Sequence, residues 1–299
     1  MIRLRTNVPR LLPNPGRFLV ALLLPLAAGA SPRALAQSPA PPLPDIPTLM
    51  DQVRQHQKQM ESVQENYTFH EIQVSQELNK NGSVKKTESY EFEIFFVNTH
   101  EVRRLMKKDG KELTPDEEKK EADRVTKYVE KAQQTPPGQA PNGEIVISVS
   151  RILAMAKVSS PRREMLDNRS TIVFDFVGDP HAKARNIAEE AARHTTGTCY
   201  IDERDRQVRR LVAQLTDNVH GGFGLFSLNK GSNLTFDQKL INNELWLPTG
   251  ANVYLIAHAV GIFGFRANVQ VTDNDYKKFH TDAQQQAGAT VVSGAPPAH

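Results

Sequence analysis

Between Phe263 and Thr272 the chain alternates without a break. Phe263, Phe265, Ala267, Val269 and Val271 fall on one side of an extended backbone, and Gly264, Arg266, Asn268, Gln270 and Thr272 on the other. Successive side chains of a strand point to opposite faces, so the pattern predicts a strand buried on one side and wet on the other. A helix would scatter the same apolar groups around its circumference. Half-buried strands belong to antiparallel sheets. The stretch is therefore expected to close such a sheet, with the preceding hundred or so residues supplying the other strands.

Taken in order, the chain supports that reading. Thr48, with Asp51 three residues on, reads as the N-cap of a helix carrying Leu49, Val53, Met60 and Val63 at helical spacing. Tyr67 to Leu78 and Val84 to Met106 read as long strands joined at Asn79–Ser83, where Asn-Gly tolerates the positive φ of a hairpin. Tyr90, Phe92, Ile94 and Phe96 share one face of the second strand, opposite Glu91 and Glu93. A turn at Lys108–Lys111 follows. Thr114, Pro115 and the acids behind them then open an exposed, charged helix running to about Gln133. After a Pro- and Gly-rich loop, Ile145 to Val158 is the most apolar stretch beyond the leader, and Val149, Ile152, Leu153 and Ala156 suit a short buried helix. Strands are expected at Arg162–Met165 and Thr171–Val177, a weak helical turn at Ile187–Arg193, and a meander from Gly197 to the end of the fold near Phe279.

The N-terminus predicts an address. Arg3, Arg5, Arg10 and Arg17 precede the apolar run 18–28, and Ala34-Leu-Ala36 fits a cleavage site. Such a run is too short to cross a ~30 Å bilayer core. The expected organisation is a secretory leader at 1–36, a Pro-rich linker at 37–47, one domain at 48–280 and a disordered tail at 281–299. Removing the five arginines among residues 1–36 leaves 32 basic against 34 acidic side chains, which gives no electrostatic footprint for nucleic acid. Cys199 is the only cysteine, so no intrachain disulfide forms, and the leader has no adjacent cysteine for lipid attachment. The expected location is the periplasm or the exterior, without a membrane span.

Chemical signatures are sparse. The nine histidines show no metal-binding spacing, Gly221–Gly224 lacks the Lys-Ser/Thr of a phosphate loop, and no G-x-S-x-G elbow occurs. No cofactor or metal is expected, and Glu71, Glu91 and Glu93 read as exposed strand charges. What stands out is the aromatic and aliphatic rows.

Three local features resemble the periplasmic lipoprotein-sorting carriers and their outer-membrane receptor relatives (LolA/LolB-like proteins). These are Gly197–Leu211 as a strand-turn-strand centre, Trp246-Leu-Pro-Thr249 as the next strand start, and Arg266–Phe279 as the end. The resemblance covers about residues 48–280. It implies an α+β fold: an unclosed, strongly curved antiparallel sheet, or half-barrel, with helices covering its concave side around a space for acyl chains. Phe92, Ile94, Phe96, Ile152, Leu153, Phe174, Phe176, Phe236 and Trp246 are the residues expected to line that space. The partner so implied is a lipid or acyl chain, with envelope lipoproteins or an inner-membrane complex beyond it. Two other readings stand beside this one. The same rows can fill the solid core of an envelope scaffold, or scattered carboxylates can serve a secreted hydrolase, which a buried carboxylate pair with raised pKa would mark.

Overall fold

Entry into the fold is set by Asp45, whose carboxylate accepts the amide of Thr48 (3.1 Å) and its hydroxyl (2.9 Å). With Pro47 in the first turn, where a missing amide proton costs nothing, this starts helix α1 (Ile46–Gln64). Thr48, expected as the cap, is the residue the cap holds, and the helix begins inside the expected linker. The structure is a computed structural model that describes residues 42–137, 139, 141–142, 149–221, 226–259 and 262–278. The expected leader, the tail 281–299, and Ile145 of the apolar segment lie outside the described residues, which all belong to the compact unit beginning at Pro42.

Strand β1 (Tyr67–Leu78) turns at Asn79–Ser83, with Gly82 at φ +84°, into β2 (Val84–Val97). The long strand expected through Met106 is broken at Asn98 and Thr99, both at positive φ, and β3 (His100–Lys108) runs back. No Gly or Pro marks that turn. It is held from outside: the Asn98 amide donates to the carbonyls of Ala132 (3.2 Å) and Thr135 (2.8 Å). After β4 (Lys111–Glu112), Thr114 and Glu117 form a reciprocal capping box that starts α2 (Pro115–Gln134). The helix is mostly exposed, as expected, but Glu121 accepts the Leu105 amide (2.7 Å) and Arg124 donates to the Arg103 carbonyl. It thereby covers backbone groups that the edge of β3 would otherwise present for pairing with another chain.

Helix α3 (Val149–Ala154) is shorter than expected, because Ala156 and Val158 pair with Gly178 and Phe176 as the start of β5 (Ala156–Leu166). Then come β6 (Arg169–Gly178), α4 (Ile187–Arg193), β7 (Thr195–Asp202), β8 (Val208–Leu215), β9 (Val219–Gly221), β10 (Phe226–Leu228), β11 (Asn233–Ile241), β12 (Leu245–Ala259) and β13 (Ile262–Lys278). The sheet order is β4-β3-β2-β1-β13-β12-β11-β8-β7-β6-β5, antiparallel throughout, with β9 and β10 attached beside β12. The last strand is thus an interior one that ties the N-terminal hairpin to the C-terminal meander. Edges β4 and β5 do not meet, so the sheet is an open, strongly curved half-barrel in an α+β fold, its concave side carrying helices. Among the described residues no helix is long and apolar enough to cross a membrane.

The largest core cluster joins Leu49, Met50 and Val53 of α1 to Leu153 of α3 and to Ile172, Phe174, Phe176, Cys199 and Leu211 of the sheet. Further along α1, Met60 and Val63 pack against Tyr67, Leu245 and Leu247. The β7–β8 corner is pinned by Asp202, which is fully buried. It accepts two hydrogen bonds from Arg169 (2.6 and 2.9 Å) and the amides of Arg204 and Asp205. Burial pushes its carboxyl pKa up, and Arg169 with the turn amides outweighs that, so the group is held below the usual carboxylate range. Asp202→Asn is expected to cost about 1–3 kcal/mol in a urea titration at pH 7. A depressed carboxylate stabilises above its unfolded pKa of ~3.9 and loses that effect as pH falls through the folded value, so the gap between variant and wild type narrows below about pH 4. Equal midpoints at pH 7 would remove this residue from the fold's supports.

Candidate functional site

Cross-strand partners lie on the same face of a sheet, so the registers define its rows. One concave row runs Phe174, Cys199, Leu211, Phe236, Ala251, Val271. Its neighbour runs Phe176, Gly197, Ala213, Leu234, Val253, Val269. At the β6 end α1 and α3 lie directly on these rows, and Phe174, Phe176 and Cys199 are 0 % exposed. From β11 onward the same rows are only half-buried: Leu234, Phe236, Ala251, Val253, Val269 and Val271 all keep partial exposure. The result is an apolar trough that continues the filled core over β11, β12 and β13.

The trough ends in charge. Two positions beyond Val271, Asp273 stands opposite Glu71, and Glu71 stands opposite Phe92. Both residues are buried, Asp273 at 7 % exposure and Glu71 at 9 %. Arg103 on β3 donates to Glu71 and to Gln73 (3.1 Å), and its guanidinium lies 4.3 Å from the centre of the Phe92 ring. Asp273 Oδ1 and Arg103 Nε are buried without a hydrogen-bond partner. Burial, with the charges of Glu71 and Glu101 added, pushes the Asp273 carboxyl up to about 7 against the opposing pull of Arg103. Burial also raises Glu71, though Arg103 lowers it. Tyr276 closes the floor: its ring centre is 5.3 Å from that of Phe69, its hydroxyl donates to the Pro248 carbonyl, and burial together with Asp273 raises its pKa.

The nine residues expected to line one space are divided among several. Phe174, Phe176 and Leu153 belong to the filled core, and Ile152 and Phe236 are half-buried at its border. Ile94 and Phe96 are buried in a separate cluster with Phe69, against which Phe92 packs. Trp246 lies apart, donating its indole N–H to Asp205 (3.0 Å) with Arg169 and Arg209 each 5.5 Å from its ring. Glu71 is buried on the concave side, not exposed. Its partner Phe92 alternates with Glu91 and Glu93, which puts those two on the opposite face. Asp273 and Arg103 were not anticipated, although Asp273 shares the period-two parity of Val269 and Val271, so continued counting would have placed it inward.

A polar cleft of about 200 Å³ is lined by Asp167, Arg209, Arg210, Asp237 and Gln238 among others, and contains the pairs Arg209–Asp167 (2.9 Å) and Arg210–Asp237 (2.6 Å). Burial raises the Cys199 thiol well above its usual range, which leaves it protonated and unreactive. Among the described residues no group of three or more His, Cys, Asp or Glu is placed to hold a metal ion.

The chain is similar in structure to a domain from Vibrio parahaemolyticus assigned by name to outer membrane lipoprotein sorting, at 8 % identity and a TM-score of 0.35, over 82 % of this chain and 99 % of that one. It is similar to a DUF1329 family protein from Desulfovibrio piger, also at 8 % identity and TM-score 0.35, over 80 % and 98 %. A third similar structure is MucB in complex with the periplasmic part of MucA, at 8 % identity and TM-score 0.22, over 79 % and 100 %. No protein-family model matches the chain, and no curated protein matches it. At such identity no residue role passes from these proteins to this chain.

Proposed function

We propose that this is a non-enzymatic binding protein of the cell envelope, exported to the periplasm, that holds a lipid or the acyl chain of a lipoprotein against the concave face of its sheet. The observation that carries the proposal is the trough: two apolar rows run unbroken from a core covered by helices into a stretch where every side chain is only half-buried. Apolar surface left in that condition gains roughly 25 cal/mol per Å² when covered, and a buried methylene contributes about 0.8 kcal/mol. The export pattern of residues 1–36 supports an envelope setting.

A fluorescent fatty acid titrated into the protein is expected to bind saturably. Val269→Glu is expected to weaken that binding at least tenfold, and Gln270→Glu, one position along and on the other face, to leave it unchanged. Circular dichroism serves as the folding control. No saturable binding by the wild type would favour the scaffold reading, whose support is the complete burial of Phe174 and Phe176 under α1. The hydrolase reading draws on Glu71 and Asp273. Glu71 is committed to Arg103, so the pair offers one free acid and no activated nucleophile. Turnover of a chromogenic ester that Asp273→Asn abolishes would revive it.

A further inference from the structure

We propose that Asp273 and Glu71 form the head-group subsite of the trough, and that the amphiphile they select carries a cationic amine at the end of its long apolar chain. The proposal rests on the lipid-binding reading above and adds the chemistry of the ligand's polar end.

Geometry puts the subsite where a head group must lie. Asp273 is two residues from Val271 on the same face of β13, so its carboxyl stands about 7 Å along the strand from the last apolar side chain of the trough. A chain laid over Phe236, Ala251 and Val271 meets Gln73 on β1 next, and an end turned one pair of positions along β13 and β1 reaches Asp273 and Glu71. Charge decides what that end is. The groups facing Asp273 are Glu71 on β1, Arg103 and Glu101 on β3, and the Tyr276 hydroxyl on its own strand. Arg103 is engaged by Glu71 and Gln73. The second carboxylate therefore has no cation of its own, and its Oδ1, nine-tenths buried, has no hydrogen-bond donor. Burying an acceptor without a donor costs free energy, and an unpaired buried charge costs far more. An ammonium supplies both the missing donor and the missing positive charge. A carboxylate or phosphate head would add a third negative group beside Glu71 and Asp273.

Binding of a cation is coupled to a proton. With its carboxyl near 7, Asp273 is about half protonated at neutral pH, and an ammonium beside it favours the ionised form. Amine uptake at pH 7 is thus expected to release about half a proton per ligand.

The test compares decylamine, decanol and decanoate by calorimetry at pH 7, each run in phosphate and in Tris so that the heat difference reports protons released. Decylamine is expected to bind at least tenfold more tightly than decanol and to release protons, and decanoate to bind most weakly. Asp273→Asn, nearly isosteric, is expected to weaken decylamine binding about tenfold and to abolish the proton release. Decanol binding with no preference for the amine, or with decanoate preferred, overturns the subsite and leaves the trough standing. Failure of all three to bind overturns the trough and the subsite together. The proton count uses only wild-type protein, so it decides the question even if the variant folds poorly.

Discussion

Phe174→Ala is expected to remove about 3–5 kcal/mol of stability, a large part of the roughly 5–15 kcal/mol that holds a domain of this kind together. The side chain has no exposure and sits where α1, α3 and the sheet converge, among Leu49, Val53 and Leu211. Its truncation leaves a cavity that neighbours anchored on three elements cannot collapse to fill. Val269→Ala, in the parallel row but on the uncovered part of the sheet, is expected to cost under about 1 kcal/mol, because water already reaches that position and removal of the side chain opens no sealed void. Urea midpoints measured side by side check the pair. Equal losses would mean that the two ends of the rows are packed alike and that no trough exists.

That asymmetry separates what was legible in the sequence from what was not. Period-two alternation, the Asn-Gly hairpin and the Thr114 capping box are local signals, and β1, α2, α4 and the run through Val269 follow from them almost residue for residue. The Asn98–Thr99 turn was invisible because its cause is not local: the residues that hold it are the carbonyls of Ala132 and Thr135 at the end of α2. Ala156 and Val158 fall in the segment read as a short buried helix. Pairing with Gly178 and Phe176 decided for strand, and no sequence window contains that information. Aromatic content misled in the same way. Trp246 looks like a cavity residue until Asp205 is seen to take its N–H, and the turn that brings Asp205 there lies forty-odd positions upstream in the chain.

The acid pair shows the same limit more sharply. Glu71 and Asp273 are about two hundred positions apart, and only the register of β1 on β13 makes them neighbours. Read singly, each is an ordinary strand charge. Read together, they are an arrangement that folding alone would not favour, since two buried acidic residues face one guanidinium that only Glu71 engages. Positions that break a local rule at a cost to stability are where function is expected.

This makes the second large effect a gain. Asp273→Asn is expected to stabilise the ligand-free protein on the order of 4 kcal/mol above pH 8, by roughly a third of that at pH 5, and to change little below about pH 4. The sign follows from linkage. In the folded protein the Asp273 carboxyl is raised by burial and by Glu71 and Glu101 to about 7, while in the unfolded chain it titrates near 3.9. Between those values the folded state holds the extra proton, so wild-type stability falls as pH rises through the window, and the loss is complete once the folded group has ionised. Asparagine cannot ionise and escapes the fall. Urea titrations at pH 4, 7 and 8.5 should therefore show wild type and variant closest at the lowest pH and separating upward. Curves that stay parallel across the range would place Asp273 in ordinary solvent contact, and with it would go the reason for a cation to bind there. If the curves separate and decylamine closes the gap for wild type alone, stability is being given up at this residue for the ligand that restores it.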